Sequence, residues 1–250
     1  MSEVRIIGLD GIPEVRPGDD VAAFILEAAA KQDLTLESGD IIVITQKVIS
    51  KAEGRIVDLD DVEPGRFATD YAEQWEKDAR LVETVLRESA RIVRMDHGVM
   101  ICETKHGLIC ANAGVDSSNV EKLGTVTLLP EDPDESANEV RQKIEEATGA
   151  SPAVIITDTF GRPWREGHVN FAIGVAGMVP IVDYTGEFDP AGYEIKVTQM
   201  AVADELAAAS ELIHGKLSRT PVAVIRGYEY PAGSGTADEL LRDPERDMFR

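Results

Sequence analysis

An α+β fold, with mixed or antiparallel sheets and flanking helices, is what this 250-residue chain predicts. Three observations lead there. Short apolar runs rich in Ile and Val end in polar residues, as buried strands do when they deliver loops to one edge of a sheet. Amphipathic segments of helical period carry aspartate caps. The two kinds of segment mix without strict alternation, which argues against a doubly wound parallel sheet.

Val4–Leu9 is the first expected strand. Asp19 and Asp20 cap a helix through Ala30, with Val21, Phe24, Ile25 and Ala28 on one face. Asp40–Thr45 reads as a buried strand ending in polar groups. Ala68–Arg87 reads as one helix, because Tyr71, Trp75, Ala79, Val82 and Leu86 keep helical spacing. Strands follow at Arg91–Met95, Val99–Glu103 and Leu108–Asn112, the last two joined through His106-Gly107 as a hairpin. Pro130–Pro133 is a break, and a helix runs from Glu135 to Ala147. Ala153–Thr157 is a further strand, and Gly-rich Phe171–Val182 another with close backbone approaches. A long helix from Ile195 to Ile213 and a strand at Val222–Arg226 close the pattern. No internal boundary stands out, so residues 1–250 are expected to form one functional unit.

Forty-six acidic against twenty-five basic side chains leave a net charge of −21. Such a surface repels phosphate backbones and anionic lipid, so neither nucleic acid nor a membrane is an expected partner. A few basic groups or a metal can still reverse the potential locally for a small phosphate-bearing molecule. Arg outnumbers Lys by 16 to 9. The acidic excess suits a salt-rich, halophilic cytoplasm, where screening relieves self-repulsion. No apolar stretch approaches the roughly 20 residues that span a bilayer. Cys102 and Cys110 could form one disulfide across the hairpin, but two cysteines are no disulfide framework, and a reducing cytoplasm is expected.

Two segments set hard oxygen ligands directly after strands. One is Asn112-Ala-Gly-Val-Asp116-Ser-Ser-Asn119, the other Thr157-Asp158-Thr159-Phe-Gly161-Arg162-Pro-Trp-Arg165-Glu-Gly167. Asp116, Asp158 and Thr159 can supply the carboxylate and hydroxyl ligands that Mg²⁺ or Mn²⁺ prefers beside nucleotide phosphates. Loop aspartates also cap helices and make Asx-turns, which is the plainer reading of each segment alone. Arg162 and Arg165 beside two glycines suit carboxylate or phosphate, or else a salt-bridged surface loop. The polar turn Thr45-Gln46-Lys47-Val-Ile-Ser50-Lys51 follows a strand and offers lysines to a phosphate, although no Walker A loop occurs. His97, His106, His168 and His214 are scattered and pair with no cysteine, which disfavours zinc.

Asp10-Gly-Ile-Pro13, Ser50-Lys51-Ala-Glu-Gly54, Asn112–Asn119 and Thr157–Gly167, followed by Ala172-Ile-Gly174, occur in one order and register. Together they resemble the coenzyme F420-0:L-glutamate ligase family over essentially the whole chain, and the acidity suggests a haloarchaeal member. The resemblance implies a dimer-forming ligase fold and GTP-dependent addition of L-glutamate to F420-0. It implies extension to a γ-linked diglutamate, a divalent metal (Mn²⁺ or Mg²⁺, two ions), K⁺ and a homodimer. It makes Asp116 and Asp158 ligands of one metal and Thr159 of a second. Asp10, Gly11, Ile12, Pro13, Thr45, Gln46, Lys51 and Asn119 become GTP contacts, as does the loop His214-Gly215-Lys216-Leu217-Ser218-Arg219-Thr220-Pro221. Some relatives place a ligand of the second metal near Lys216. A charged lysine has no lone pair to give, so a backbone carbonyl or water would serve there. Arg162 and Arg165 would hold the phosphodiester, a carboxylate or the incoming glutamate. Two other readings of the same aspartates compete: a metal-dependent nucleotide phosphohydrolase or kinase, and an acidic binding protein whose loop aspartates are only caps.

Overall fold

The computed structural model describes residues 3–117 and 123–247. The expected α+β organisation is present, with its core on five strands. β1 (Arg5–Gly8), α1 (Val21–Lys31), β2 (Ile41–Thr45) and α2 (Gln46–Ala52) open the chain. β3 (Ile56–Asp58), α3 (Arg66–Trp75) and α4 (Ala79–Glu88) lead into β4 (Ser89–Asp96), β5 (Val99–Thr104) and β6 (Ile109–Ala111). β7 (Thr125–Thr127), α5 (Pro133–Thr148), β8 (Ala153–Arg162) and β9 (Arg165–Ala176) follow. β10 (Val182–Asp183), β11 (Gln199–Met200), α6 (Val202–His214) and β12 (Val222–Arg226) complete the series.

The main sheet has the order β1-β12-β2-β8-β9, so a late strand lies between the two earliest ones. Its neighbours are antiparallel except β2 and β8, which run parallel from Ile41↔Ala153 to Thr45↔Thr157. β2, β12 and the first half of β8 read as nearly continuous apolar runs because both faces are covered there. Ile42, Ile44, Val154, Ile156, Val222 and Val224 face α1 and α5, while Ile41, Val43, Ile155 and Ile225 face α6. Smaller antiparallel sheets, β4-β5-β6 and β3-β7, pack with α3 and α4 around Tyr71, Val82, Val85 and Val126.

Local chemistry sets the element ends. Asp20 starts α1 as expected, accepting from the amides of Ala22 and Ala23 at 3.1 and 3.3 Å, a cap worth about 1 kcal/mol. Asp132 and Pro133 start α5, and left-handed Gly149 ends it. Gly174, on β9, has no room for a side chain, since a Cβ would lie 2.3 Å from the Pro133 carbonyl oxygen.

Four expectations are corrected. The single helix over Ala68–Arg87 is two, because Glu76 turns left-handed (φ 51°) and Asp78 caps a new start. Both halves bury the same face, so the apolar spacing crosses the break unchanged. The helix expected from Ile195 begins only at Val202. Residues before it pair back on themselves, Gly186 N–H to Ile195 O at 2.8 Å and Tyr184 N–H to Thr198 O at 2.9 Å. Asp158–Arg162 is not loop but the continuation of β8, hydrogen-bonded to β9 as far as Arg162↔Arg165. β9 accordingly starts at Arg165 and ends at Ala176, so Phe171–Val182 is not one strand. Cys102 and Cys110 are cross-strand partners but free, buried thiols. Among the described residues, no helix is long and apolar enough to cross a membrane.

Candidate active site

The parallel pairing of β2 with β8 ends at Thr45↔Thr157, and the loop after β1, the turn after β6 and the loop before β12 gather around that level. Leu9 N–H bonds Val222 O at 2.9 Å and Thr45 N–H bonds Pro221 O at 3.0 Å, which fixes three of these segments to one another. They enclose a cavity of about 780 Å³. Of the sequence candidates, Ile12, Pro13, Thr45, Gln46, Lys51, Asp116, Asp158, Thr159, His214, Gly215, Lys216, Arg219, Thr220 and Pro221 line it. Asp10 stands behind the wall, accepting from Thr220 Oγ1 at 3.1 Å. Gly11, Leu217 and Ser218 are outside the lining, and Asn119 lies outside the described residues.

Arg162 and Arg165 are not brought to the cavity. They flank the tip of the β8–β9 hairpin, where the Arg162 guanidinium donates to the carbonyls of Glu166 and Gly167 and Arg165 is exposed. They stand away from Asp158 because a strand carries its residues about 3.3 Å further per position.

Asp116 is delivered by a strained turn. Asn112, Ala113 and Gly114 all take positive φ (53°, 52° and 71°), and at Gly114 a Cβ would meet the Leu129 side chain at 2.7 Å. The backbone of Asp116 then pairs with Thr127 in both directions, at 3.0 and 2.8 Å. Its carboxylate meets Lys47 Nζ at 2.7 Å. Lys51 pairs with Glu14. Thr159 Oγ1 donates to Asn170 Oδ1 (2.8 Å), Asn170 Nδ2 donates to Glu211 Oε2 (3.0 Å), and Lys216 Nζ donates back to Thr159 Oγ1 (2.8 Å).

Burial pushes the Asp158 carboxyl up to about 6, and the charge of Asp116 adds to the rise against the backbone N–H of Thr159 and the ammonium groups of Lys47 and Lys216. Burial also lifts the Cys110 thiol to about 12, with Asp158 again contributing, so this thiol stays protonated. His214 is held below its usual range by burial. Its Nδ1 faces the Thr220 carbonyl at 2.8 Å and must donate, which leaves Nε2 as an acceptor. That Nε2, Gln46 Nε2 and Thr157 Oγ1 are buried without partners. All three residues line the cavity. Unpaired buried polar groups are rare in folded proteins, and a polar ligand would satisfy these.

The donor set fits a hard divalent cation: two neighbouring carboxylates, one destabilised by the other, and a threonine hydroxyl. Among the described residues no cluster of three His, Cys, Asp or Glu gathers at metal spacing, so water and neutral oxygens would complete the coordination. Lys216 cannot be a side-chain ligand, since its ammonium is a donor to Thr159. Sequence reasoning missed Glu14, Asn170 and Glu211, and named Thr157 within its segment without giving it a role. Asn170 is opposite Thr159 in the β8–β9 register, a signal that needs the true length of the hairpin.

A family model described as F420-0:Gamma-glutamyl ligase matches residues 11–227. The chain is 47% identical to the coenzyme F420:L-glutamate ligase of Methanothermobacter thermautotrophicus, over 99% of each chain. It is 46% identical to the enzyme of that description from Methanopyrus kandleri, covering 95% of this chain and 94% of the relative. For the one from Methanocaldococcus jannaschii the identity is 41%, with 99% and 97% covered.

Proposed function

The chain belongs to the F420-0:gamma-glutamyl ligase family, and from that premise we propose that it joins L-glutamate to coenzyme F420-0 with GTP as co-substrate. The observation that carries the reading is the meeting of Asp116, Asp158 and Thr159 with Pro13, Thr45, Gln46, Lys51 and the 214–221 loop around one cavity. A carboxylate is unreactive towards an amine until one oxygen becomes a leaving group. In the proposed course, a lactyl carboxylate oxygen of F420-0 attacks the γ-phosphorus of GTP in line. The bond to the β-phosphate oxygen breaks and GDP departs with the electron pair. The glutamate α-amine then attacks the acyl carbon, phosphate leaves with the C–O pair, and the amine proton passes to water. A second round at the γ-carboxyl of the added glutamate gives the γ-linked diglutamate.

Such chemistry is positioning and charge neutralisation rather than covalent catalysis. Lys51, Lys216 and Arg219 face the polyphosphate, each contact worth about 1.5–3 kcal/mol. Gln46 Nε2 donates and His214 Nε2 accepts, which orients the nucleotide. Asp116 and Asp158 would hold a divalent Mn²⁺ or Mg²⁺, which when bound neutralises phosphate charge, and Thr159 would serve a second such ion. A second divalent ion, K⁺ and Asn119 belong to the same proposal. Arg162 and Arg165 serve the F420-0 or glutamate end, where substrate leaves the cavity along the hairpin. The enzyme is a cytoplasmic homodimer in this reading. Exposed Trp164, Phe188, Tyr193 and Val197 support a second copy as partner, and sedimentation would test it.

Mass spectrometry of F420-0 incubated with GTP, glutamate and Mn²⁺ tests the function. Products one and two glutamates heavier are expected, with little GTP turnover when glutamate is omitted and none of either product with Asp116→Asn. Steady GTP hydrolysis indifferent to glutamate and F420-0 would favour a phosphohydrolase instead.

A further inference from the structure

Lys47 lies on the first turn of α2 and touches Asp116 Oδ2 at 2.7 Å, its side chain 21% exposed and that of the aspartate 38%. Among the described residues around the cavity, the carboxylates Glu14, Asp116, Asp158 and Glu211 face the basic groups Lys47, Lys51, Lys216 and Arg219. The wall is therefore near neutral, although the chain carries −21. A neutral wall has no surplus attraction for a polyphosphate. It acquires one only if a cation joins the acidic side and releases a basic group already there. Lys47 is the basic group placed for this, because its partner is a carboxylate that a hard cation would take.

We propose that Lys47 is an exchangeable counter-ion: it holds Asp116 while the cavity is empty, leaves when a divalent cation occupies that carboxylate, and then binds a phosphate oxygen of the nucleotide. The proposal rests on the reading of Asp116 as a metal ligand. Two features of the structure permit the exchange. Asp116 is fixed through its backbone to Thr127, at 3.0 and 2.8 Å, so its position does not depend on the lysine. α2 is anchored by buried Val48 and Ile49, so the flexible lysine stem can swing while the helix stays in place. Two cations close to one carboxylate repel each other, which makes ammonium and metal competitors for Asp116.

The exchange predicts opposite signs for two affinities in one variant. In chelator-stripped Lys47→Met, Mn²⁺ measured by electron paramagnetic resonance should bind about threefold to tenfold tighter, because a competitor is gone. A non-hydrolysable GTP analogue at saturating Mn²⁺ should bind about tenfold or more weakly, because a charged contact is gone. Lys47→Arg keeps the charge, so its Mn²⁺ affinity should stay near wild type. A lysine that merely ties α2 to the turn after β6 would instead lower the melting temperature of Lys47→Met and weaken both ligands, which overturns the exchange. Mn²⁺ binding that Lys47→Met leaves unchanged overturns it as well, as does tighter Mn²⁺ with undiminished analogue binding. Failure of the wild type to bind Mn²⁺ at all would remove the metal assignment of Asp116 and this exchange together.

Discussion

Replacing Asp158 by Asn should make the metal-free protein more stable at pH 8, by an amount that shrinks as the pH falls. Folding raises this carboxyl from 3.8 to about 6. Above pH 6 the native state must hold a buried carboxylate that the unfolded chain holds in water, so the charge opposes folding. At about 1.4 kcal/mol per pH unit, the ceiling of this penalty is about 3 kcal/mol at pH 8. Solvent reaching a half-buried group lowers the expected gain to about 1–3 kcal/mol. Near pH 5 the native carboxyl is mostly protonated, and the advantage of the amide should fall to about half. Only well below pH 3.8, near pH 3, are both states protonated and the advantage gone. Asn keeps the oxygen that accepts from the Thr159 backbone, so that bond should survive. Urea unfolding of wild type and Asp158→Asn after chelation, at pH 8 and pH 5, measures the difference while staying above the isoelectric point of 4.5. For a chain of this size the gain at pH 8 corresponds to a melting temperature higher by about 2–4 °C per kcal/mol. An Asn variant less stable than wild type at pH 8 would refute the reasoning, for it would mean that Lys47 and Lys216 stabilise the carboxylate by more than burial opposes it. A gain equal at both pH values would also refute it.

Three further outcomes are expected. Lys51→Ala should raise the GTP Michaelis constant about tenfold to a hundredfold with little effect on glutamate, whereas Arg162→Lys and Arg165→Lys should impair use of F420-0 or glutamate more than GTP. Kinetics with each substrate varied in turn decides this, and a loss confined to GTP in all three variants would move the arginines to the nucleotide. Raising KCl towards molar concentration should raise the melting temperature, since screening weakens the self-repulsion of −21 charges; a flat or falling series would count against a halophilic protein. Gly174→Ala should destabilise by about 1–3 kcal/mol or more, because its methyl would meet the backbone of Pro133 rather than a side chain that can turn away, and calorimetry showing no loss would mean that α5 moves freely against β9.

Much of this architecture was legible because its signals are local. β2 and β12 are apolar up to their last residue and β8 is apolar as far as Ile156, and the polar residues that follow in β2 and β8 drew attention to Thr45 and Asp158. Asp20 announced α1 through a side-chain acceptor for the free amides of its first turn. What escaped depends on pairing. The extension of β8 and β9 beyond Thr157 rests on hydrogen bonds between residues that individually look like loop, Gly161 and His168 among them. Without that register, Arg162 looks adjacent to Asp158, while Asn170, which touches Thr159, looks remote. The break at Glu76 is hidden for a different reason: one left-handed residue changes the course of the backbone without interrupting the apolar face.

The insertion of β12 between β1 and β2 has a consequence for how the protein is made. β1 has no other neighbour in the sheet, so Arg5 must wait for Arg226, more than two hundred residues later, before its ladder can close. Until then a growing chain on the ribosome exposes one edge of β2, a bare row of amides flanked by Ile42 and Ile44, with nothing of its own to bind there. Closure of that gap by a single late strand means that the main sheet is complete only once Val222–Arg226 has emerged. The same closure brings the 214–221 loop to the strand ends, so the cavity cannot exist in any nascent chain that lacks β12.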